Sequence, residues 1–453
     1  MHATLGFYGG VGSVTGSNFM LDVGEAAFLI DCGLIQGDRF QSAANADPFV
    51  YDPADVDVLL VTHAHADHIG WIPKLVKDGF RGAIYSTSPT KALANVMLRD
   101  AYKVMLYEEE RYGTERLYEQ GDIDAALKLW KTAGYHESVS LPANVTATFQ
   151  DAGHILGSAA VVLTREGRSI AFSGDIGNVP QPLLAAPDVP EGYNYLVMES
   201  VYGDRQHEQV EERTALLQHH IERTQQSGGT LIIPAFSLER TQGMLLEINN
   251  LVESGTIEPI PTFLDSPLAI SVTELYRSYT NYLRPDIQQQ INDGDDIFEF
   301  PKLSFTKSVA SSREIAAETG AKIIIAGSGM SHGGRIREHE KRYLEDPKST
   351  LLLVGYQAVG SLGRRLHDGA KRVRIDDTEV KVRATIARIR GYSGHADRDQ
   401  LVDYVAKGGA NAAQVFVTMG EERASLFLTQ RLRDYLGVNA VAPALNEEVS
   451  IEF

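Results

Sequence analysis

Residues Thr62-His63-Ala64-His65-Ala66-Asp67-His68-Ile69-Gly70 follow directly on the apolar run Val56-Asp57-Val58-Leu59-Leu60-Val61. A buried strand ending in a tight turn throws alternate side chains to one side. The imidazoles of His63 and His65 can therefore grip one divalent ion, while Asp67 and His68 face a second. Imidazole nitrogens with a minority of carboxylate oxygens suit zinc or another first-row metal. The absence of cysteine from the run argues against a closed structural zinc site.

A two-metal centre needs further ligands, and other strand ends supply candidates. Asp151-Ala152-Gly153-His154-Ile155-Leu156-Gly157-Ser158 precedes an apolar strand, and His154 is a third ligand for the ion held by His63 and His65. The stretch Ser169-Ile170-Ala171-Phe172-Ser173-Gly174-Asp175 ends in a carboxylate able to bridge two ions. His395, in Gly391-Tyr392-Ser393-Gly394-His395-Ala396-Asp397, completes the second set with Asp67, His68 and Asp175.

Composition sets the outer limits. With 453 residues, 43% hydrophobic and 23% charged, the chain is long enough for two domains or one domain with a large insertion. The N-terminal MHATLGFYGG has neither a basic region nor an apolar core, and no apolar run approaches the roughly 20 residues needed to span a bilayer. The expectation is a cytoplasmic protein without a membrane partner. The single cysteine, Cys32, excludes an internal disulfide and reads as a small buried hydrophobe. A net charge of −18 speaks against nucleic acid at long range. Locally the balance reverses: between Arg364 and Arg390 nine Lys or Arg stand against four acids, enough to line a groove or to cover one solvated strand face.

Short apolar strands from Thr4 to about Val201 (18–21, 27–30, 56–61, 159–163, 169–172, 195–198) predict a sheet-rich unit with a helical insert over Pro89 to about Tyr135. From about Asp204 the pattern alternates helix with strand at 230–234, 260–264, 322–326 and 350–354, which predicts a parallel α/β unit. After about Arg374 strands return (380–389, 415–418) with helices at 398–405 and 424–436. One domain interrupted by an inserted cassette explains this order better than three beads. The boundaries expected are 1–205 and 374–453 for the two parts of the outer domain, and 206–373 for the insert.

Within the insert, Gly327-Ser328-Gly329-Met330-Ser331-His332-Gly333-Gly334-Arg335 follows a strand, and its glycines would let backbone N–H groups approach a phosphate that Arg335 could pair with. Ser328, Gly329, Met330, Arg335 and Arg364 are the candidate phosphate or RNA contacts; a plain strand-to-helix turn is the bland alternative. Gly9-Gly10-Val11-Gly12-Ser13-Val14-Thr15-Gly16-Ser17 is neither GxGxxG nor a Walker loop and reads as a turn.

Together HAHADH, GHILGS, SGD and the upstream Leu29-Ile30-Asp31-Cys32-Gly33 resemble the metal-binding motifs of the metallo-β-lactamase superfamily, in order. The inserted cassette resembles its β-CASP group, with Pro234-Ala235-Phe236, Asp265-Ser266-Pro267 and Gly327-Ser328-Gly329-Met330 typical of the RNA-processing branch. The fold implied is α/β: an αββα sandwich interrupted by a parallel α/β cassette. On this resemblance Asp31 orients the metal-bearing loops without ligating, Glu199 matches motif A, His367 motif B and His395 motif C, where histidine goes with RNA. Two Zn²⁺ per chain, with Mn²⁺ as a substitute, are implied, acting with Asp67 on a water that attacks a phosphodiester. His367 would be general acid and Glu199 would hold its imidazole. Leu238-Glu239-Arg240 departs from the more usual Gly-Arg. The resemblance implies a ribonuclease for single-stranded RNA, first an endonuclease, working in a cleft between two domains, and related proteins often pair as homodimers. The alternatives are a 5′-exoribonuclease, a non-nucleolytic hydrolase of small esters or thioesters, and a catalytically silent scaffold.

Overall fold

The computed structural model describes residues 2–36, 44–207, 210–355, 357, 360–409 and 412–453. Two compact units emerge: Met1–Val179 with Ala185–Gln206 and His395–Phe453, and Pro180–Leu184 with His207–Gly394.

In the first unit the described residues form two seven-stranded sheets. One runs Glu447–Glu452, His2–Gly9, Asn18–Asp22, Ala27–Ile30, Val58–Leu60, Ala83–Ser86, Trp130–Thr132; the other runs Ala440–Val441, Gln414–Val417, Tyr195–Met198, Arg168–Phe172, Ala159–Arg165, Thr146–Asp151, Ser138–Ser140. Phe7, Leu21, Phe28 and Ile30 from the first sheet pack with Phe149, Val161, Phe172 and Phe416 from the second in one buried cluster. The opposite face of the second sheet is covered by helices Arg398–Gly408 and Glu422–Leu436 through Leu401, Val405, Leu428 and Leu432. Helices Ser88–Tyr112 and Gln120–Leu129 pack against the far strands of the first. This is the αββα sandwich expected. Strands covered on both faces carry uninterrupted apolar runs, as Val58–Leu60 does.

The second unit is built on a fully parallel six-stranded sheet in the order Leu303–Phe305, Thr262–Leu264, Lys322–Ala326, Thr230–Pro234, Thr350–Leu353, Thr385–Arg388. Its core joins Ile232, Ile324, Leu351 and Leu353 to Ile336 and Leu366 on flanking helices. No helix among the described residues is long and apolar enough to cross a membrane.

Three local expectations differ from what is found. The stretch expected as one strand from Val380 to Ile389 breaks at Arg383 and Ala384, whose N–H groups both donate to the Leu344 carbonyl at 2.8 and 2.9 Å. Thr378–Lys381 then pairs with Arg372–Ile375, while Thr385–Arg388 joins the six-stranded sheet beside Thr350–Leu353. That pairing places residues 374–394 in the second unit, where the sequence reading had assigned them to the outer domain. The helical insert ends earlier than Tyr135, because Trp130–Thr132 adds a parallel edge strand to Ala83–Ser86.

The third difference is the terminal strand Glu447–Glu452, which pairs antiparallel with His2–Phe7 and went unread. Its pattern EEVSIE buries only Ile451 fully, with Val449 partly covered. Phe453, 1% exposed, seats in the core just beyond it. Phe453→Ala should cost about 3–5 kcal/mol of unfolding free energy, measured as a lower urea midpoint with an unchanged slope. An unchanged midpoint would show that the segment does not hold the sheet.

Candidate metal centre

All seven residues expected as metal ligands fall in the first unit, six of them in segments that follow its strands and His395 just before the helix Arg398–Gly408. The chain leaves Val58–Leu60 through Val61 and Thr62, and His65 stands at the N-terminal cap of the short helix Ala66–Ile69. The turn can close because Gly33 has no side chain: a Cβ there would lie 1.6 Å from the Asp67 carbonyl oxygen. A second glycine has the same use. Gly177 forms an isolated antiparallel bridge to His395, and a Cβ on it would meet the Gly153 carbonyl at 1.9 Å. With Ala396 N–H donating to the Ile176 carbonyl at 2.7 Å, this bridge sets His395 beside the Asp175 loop.

His63 Nε2, His65 Nδ1, His154 Nε2 and an oxygen of Asp175 converge within 4.8 Å of one another. His65 Nδ1 lies 3.1 Å from His63 Nε2 and 3.2 Å from His154 Nε2. Asp175 Oδ2 is 3.3 Å from His63 Nε2 and 3.4 Å from His154 Nε2. Four donors on a tetrahedron of ~2.0 Å bonds are separated by about 3.3 Å, so this set fits zinc. Asp175 Oδ1 points the other way, 3.4 Å from His68 Nε2, and both of these buried atoms lack a hydrogen-bond partner. Two orphaned lone-pair atoms side by side fit a second cation shared through Asp175. A second grouping joins Asp175, Glu199 and His395.

Asp31 takes no part in these cages. Its Oδ1 accepts from Thr62 N–H at 2.8 Å; its Oδ2 accepts from Thr62 Oγ1 at 2.9 Å and Ser17 Oγ at 3.1 Å, and faces His68 Nδ1 at 2.7 Å. When a cation takes the place of the proton on Nε2, the proton left to His68 is the one on Nδ1, facing Asp31. Thr62, whose Oγ1 also lies 3.0 Å from His63 Nδ1, was missed as a site residue although it stands next to His63 in sequence.

Burial, reinforced by neighbouring imidazoles, lowers the pKa of His63 and sends that of His65 well down, so both offer neutral nitrogens. Burial works against a charge on His68, but the carboxylates of Asp175 and Asp31 outweigh it and hold that pKa well up. Burial likewise opposes ionised Asp175, and His68, His63 and His395 override it, keeping the carboxylate well below its ordinary range. Asp67 is raised by burial, with His68 opposing.

Glu199 is buried at the end of Tyr195–Met198. Its Oε1 accepts from Ile176 N–H at 2.6 Å and lies 3.2 Å from His395 Nδ1, and its Oε2 accepts from Val201 N–H at 3.3 Å. Within its own unit the Glu199 carboxylate thus meets His395, the Val201 N–H and the backbone next to Asp175.

His367 belongs to the second unit, at the end of helix Leu362–His367. Its Nδ1 lies 2.9 Å from Asp368 Oδ1 and its Nε2 meets the Arg388 guanidinium. Arg364 pairs with Asp368 through Nε at 2.9 Å. The Gly-rich loop bonds to itself and to the segment that follows Thr350–Leu353. Ser328 Oγ accepts from His332 and Gly333 N–H groups, and the Gly329 and Met330 carbonyls accept from Gln357 Nε2 and Gly363 N–H. Arg335, expected to pair with phosphate, is committed elsewhere: it donates to buried Asp265 at 2.7 Å and to the Thr306 and Lys307 carbonyls. The negative charge it was to meet is already in the protein.

Three segments match family models: residues 20–187 a metallo-beta-lactamase superfamily domain, residues 241–366 a Beta-Casp domain, and residues 379–443 a Zn-dependent metallo-hydrolase RNA specificity domain. The chain is 36% identical over 425 residues to Ribonuclease TTHA0252 of Thermus thermophilus, covering 94% of this chain and 95% of that one. It is 33% identical over 409 residues to an RNase J-like protein of Methanocaldococcus jannaschii, covering 89% of each. To the Transcription termination factor FttA of Methanosarcina mazei it is 31% identical over 451 residues, covering 96% of this chain and 69% of the relative. A solved structure of a protein of unknown function from Enterococcus faecalis V583 shares the fold at a TM-score of 0.57 and 12% identity, covering 100% of both chains.

Two measurements check this geometry. Asp31→Asn should leave every ligand residue unchanged in identity yet weaken metal retention by about 10- to 100-fold in a chelator competition, since the amide disturbs the His68 orientation; unchanged retention would remove Asp31 from the centre. Near the Gly-rich loop, buried Glu340 bonds Ser331, and burial lifts its pKa to about 8. A carboxyl raised in the folded state keeps its proton longer than in the unfolded chain. Stability should therefore fall as pH rises from about 4.5 to 8. Glu340→Gln should flatten that slope in denaturant titrations across the interval, and an identical slope would exclude Glu340 as its source.

Proposed function

The chain belongs to the metallo-β-lactamase superfamily and, within it, to the β-CASP group, and from that membership we propose a two-zinc ribonuclease that cuts single-stranded RNA internally. It is a metal-dependent ribonuclease; the internal mode, the single-stranded preference and the two zinc ions are the finer part of this reading. The observation that carries it is the donor cage around Asp175, in a chain that also matches an RNA specificity domain.

In this reading His63, His65, His154 and Asp175 would hold one cation, and Asp67, His68, Asp175 and His395 would hold the other. Bound cations supply positive charge that acidifies water and neutralises the non-bridging oxygens of a phosphodiester. Asp31 fixes the His68 tautomer, so that Nε2 is presented as a lone pair. Glu199 steadies His395 and the Asp175 loop together through its Oε1. His367 donates a proton to the departing ribose oxygen, without which an alkoxide would have to leave.

The decisive experiment is incubation of the purified protein with an internally labelled single-stranded RNA, beside the same sequence as DNA and with a chelator control. Fragments of internal length from RNA alone, abolished by chelator, are expected. Mononucleotides released from one end would replace the internal mode by the exonucleolytic one. Intact RNA with two metals bound would favour a small-molecule hydrolase. His367→Ala should keep its metal content while slowing RNA cleavage by about 10²- to 10⁴-fold, and an unchanged rate would take His367 out of the chemistry.

A further inference from the structure

His367 has a partner that no motif calls for. The edge strand Thr385–Arg388 ends beside the helix Leu362–His367, and Arg388, exposed on that strand, sets a guanidinium N–H against His367 Nε2. A guanidinium has five donors and no acceptor. Nε2 therefore faces it as a lone pair, and the ring proton lies on Nδ1, toward Asp368 Oδ1 at 2.9 Å. The hydrogen-bond partners thus assign His367 as the neutral Nδ1–H tautomer. Other charges nearby do not alter this. Arg364 reaches His367 only through Asp368, whose carboxyl is held below its ordinary range by His367 and Arg364. On the strand Arg372–Ile375, which also packs on this helix, Arg372 pairs with Glu379 and Arg374 faces Asp377.

A general acid at this position must carry its proton on the nitrogen that points away from Asp368, and that nitrogen is the one Arg388 occupies. Two like charges face to face are disfavoured, so the guanidinium has to leave, or be neutralised, before Nε2 can take a proton from solvent. A phosphodiester does both. Its paired non-bridging oxygens match the guanidinium fork, and their charge-assisted bonds are stronger than one to a neutral imidazole.

We propose that Arg388 is a phosphate-binding residue for the RNA substrate, and that its transfer from His367 Nε2 to a phosphodiester frees that nitrogen for protonation. Substrate binding and the arming of the acid are then one event. The proton taken up at Nε2 goes to the ribose oxygen as its bond to phosphorus breaks, and water supplies the new oxygen on phosphorus. The second half of this proposal rests on the acid role given to His367 above; the first half, phosphate binding by Arg388, does not.

The test uses the metal-loaded full chain, a phosphorothioate-linked oligoribonucleotide that resists cleavage, and ¹⁵N-histidine labelling. Arg388→Gln should weaken oligonucleotide binding about tenfold and lower the slope of log affinity against log salt by about 1. Arg388→Lys, which keeps the charge but loses the fork, should fall between. In the wild type the His367 Nε2 resonance should change from an unprotonated to a protonated nitrogen when the oligonucleotide is added. In Arg388→Gln that nitrogen should no longer need the oligonucleotide to become protonated. Unchanged affinity and salt slope in Arg388→Gln would overturn the phosphate contact, and an Nε2 signal indifferent to oligonucleotide in the wild type would overturn the exchange. His367→Ala separates the two readings. If it cuts RNA at the wild-type rate, the acid role fails while the Arg388 binding result stands. If it is slow on RNA but normal on a phosphodiester with a nitrophenolate leaving group, the acid role holds and Arg388 is judged on its own data.

Discussion

The first unit is organised around one buried carboxylate. Asp31, 1% exposed, accepts from the Thr62 backbone, the Thr62 and Ser17 hydroxyls and His68 Nδ1. An ionised group so deep is tolerated only because every oxygen is met by donors. The same bonds tie the end of Ala27–Ile30 to the loop that carries the histidines, and they decide which nitrogen of His68 is available. Electrostatic cost and chemical use are therefore settled by a single set of hydrogen bonds. Close backbone packing does the remaining alignment: Gly33 lets the Asp67 carbonyl pass, and Gly177 lets the His395 segment pair beside Asp175.

Much of this was legible because metal-binding chemistry concentrates in short runs at strand ends. His63 and His65 of the HAHADH stretch, His154 and Asp175 each announced themselves by residue type next to an apolar run, and donor atoms of these four lie within 4.8 Å of one another. What could not be read was assistance by ordinary residues. Thr62 and Ser17 are unremarkable letters in a sequence, and their part depends on where Asp31 points. The terminal strand Glu447–Glu452 escaped for a related reason. An edge strand with one covered face needs only two inward apolar side chains, Val449 and Ile451, and two are too few to make a period.

In the second unit the sequence located elements better than it located partners. All four parallel strands read from the alternating pattern are present, yet Arg335 serves the fold. Asp265 is wholly buried and draws on Arg335, His339, Thr306 and Ser312 at once, which carries its carboxyl far below its ordinary range against the effect of burial. A buried acid of that kind takes the nearest guanidinium for itself. A glycine-rich loop followed by arginine therefore signals phosphate only when no internal carboxylate lies within reach, and no alignment of letters along a chain shows whether one does.

The same distinction resolves how an acidic chain can meet a polyanion. A net charge of −18 acts at long range, but at physiological salt the Debye length is about 8 Å, so a phosphate in contact responds to the side chains immediately around it. Of the basic residues between Arg364 and Arg390, Arg364, Arg372 and Arg374 each have a carboxylate beside them on the surface. Arg383, Arg388 and Arg390 are exposed on or next to the edge strand of the six-stranded sheet. The partner of Arg388 is an imidazole, which a phosphodiester displaces more readily than it displaces a carboxylate. The basic excess is thus divided between cations that face a carboxylate and cations that do not, and on the proposal made for Arg388 it is the second kind that meets the RNA backbone.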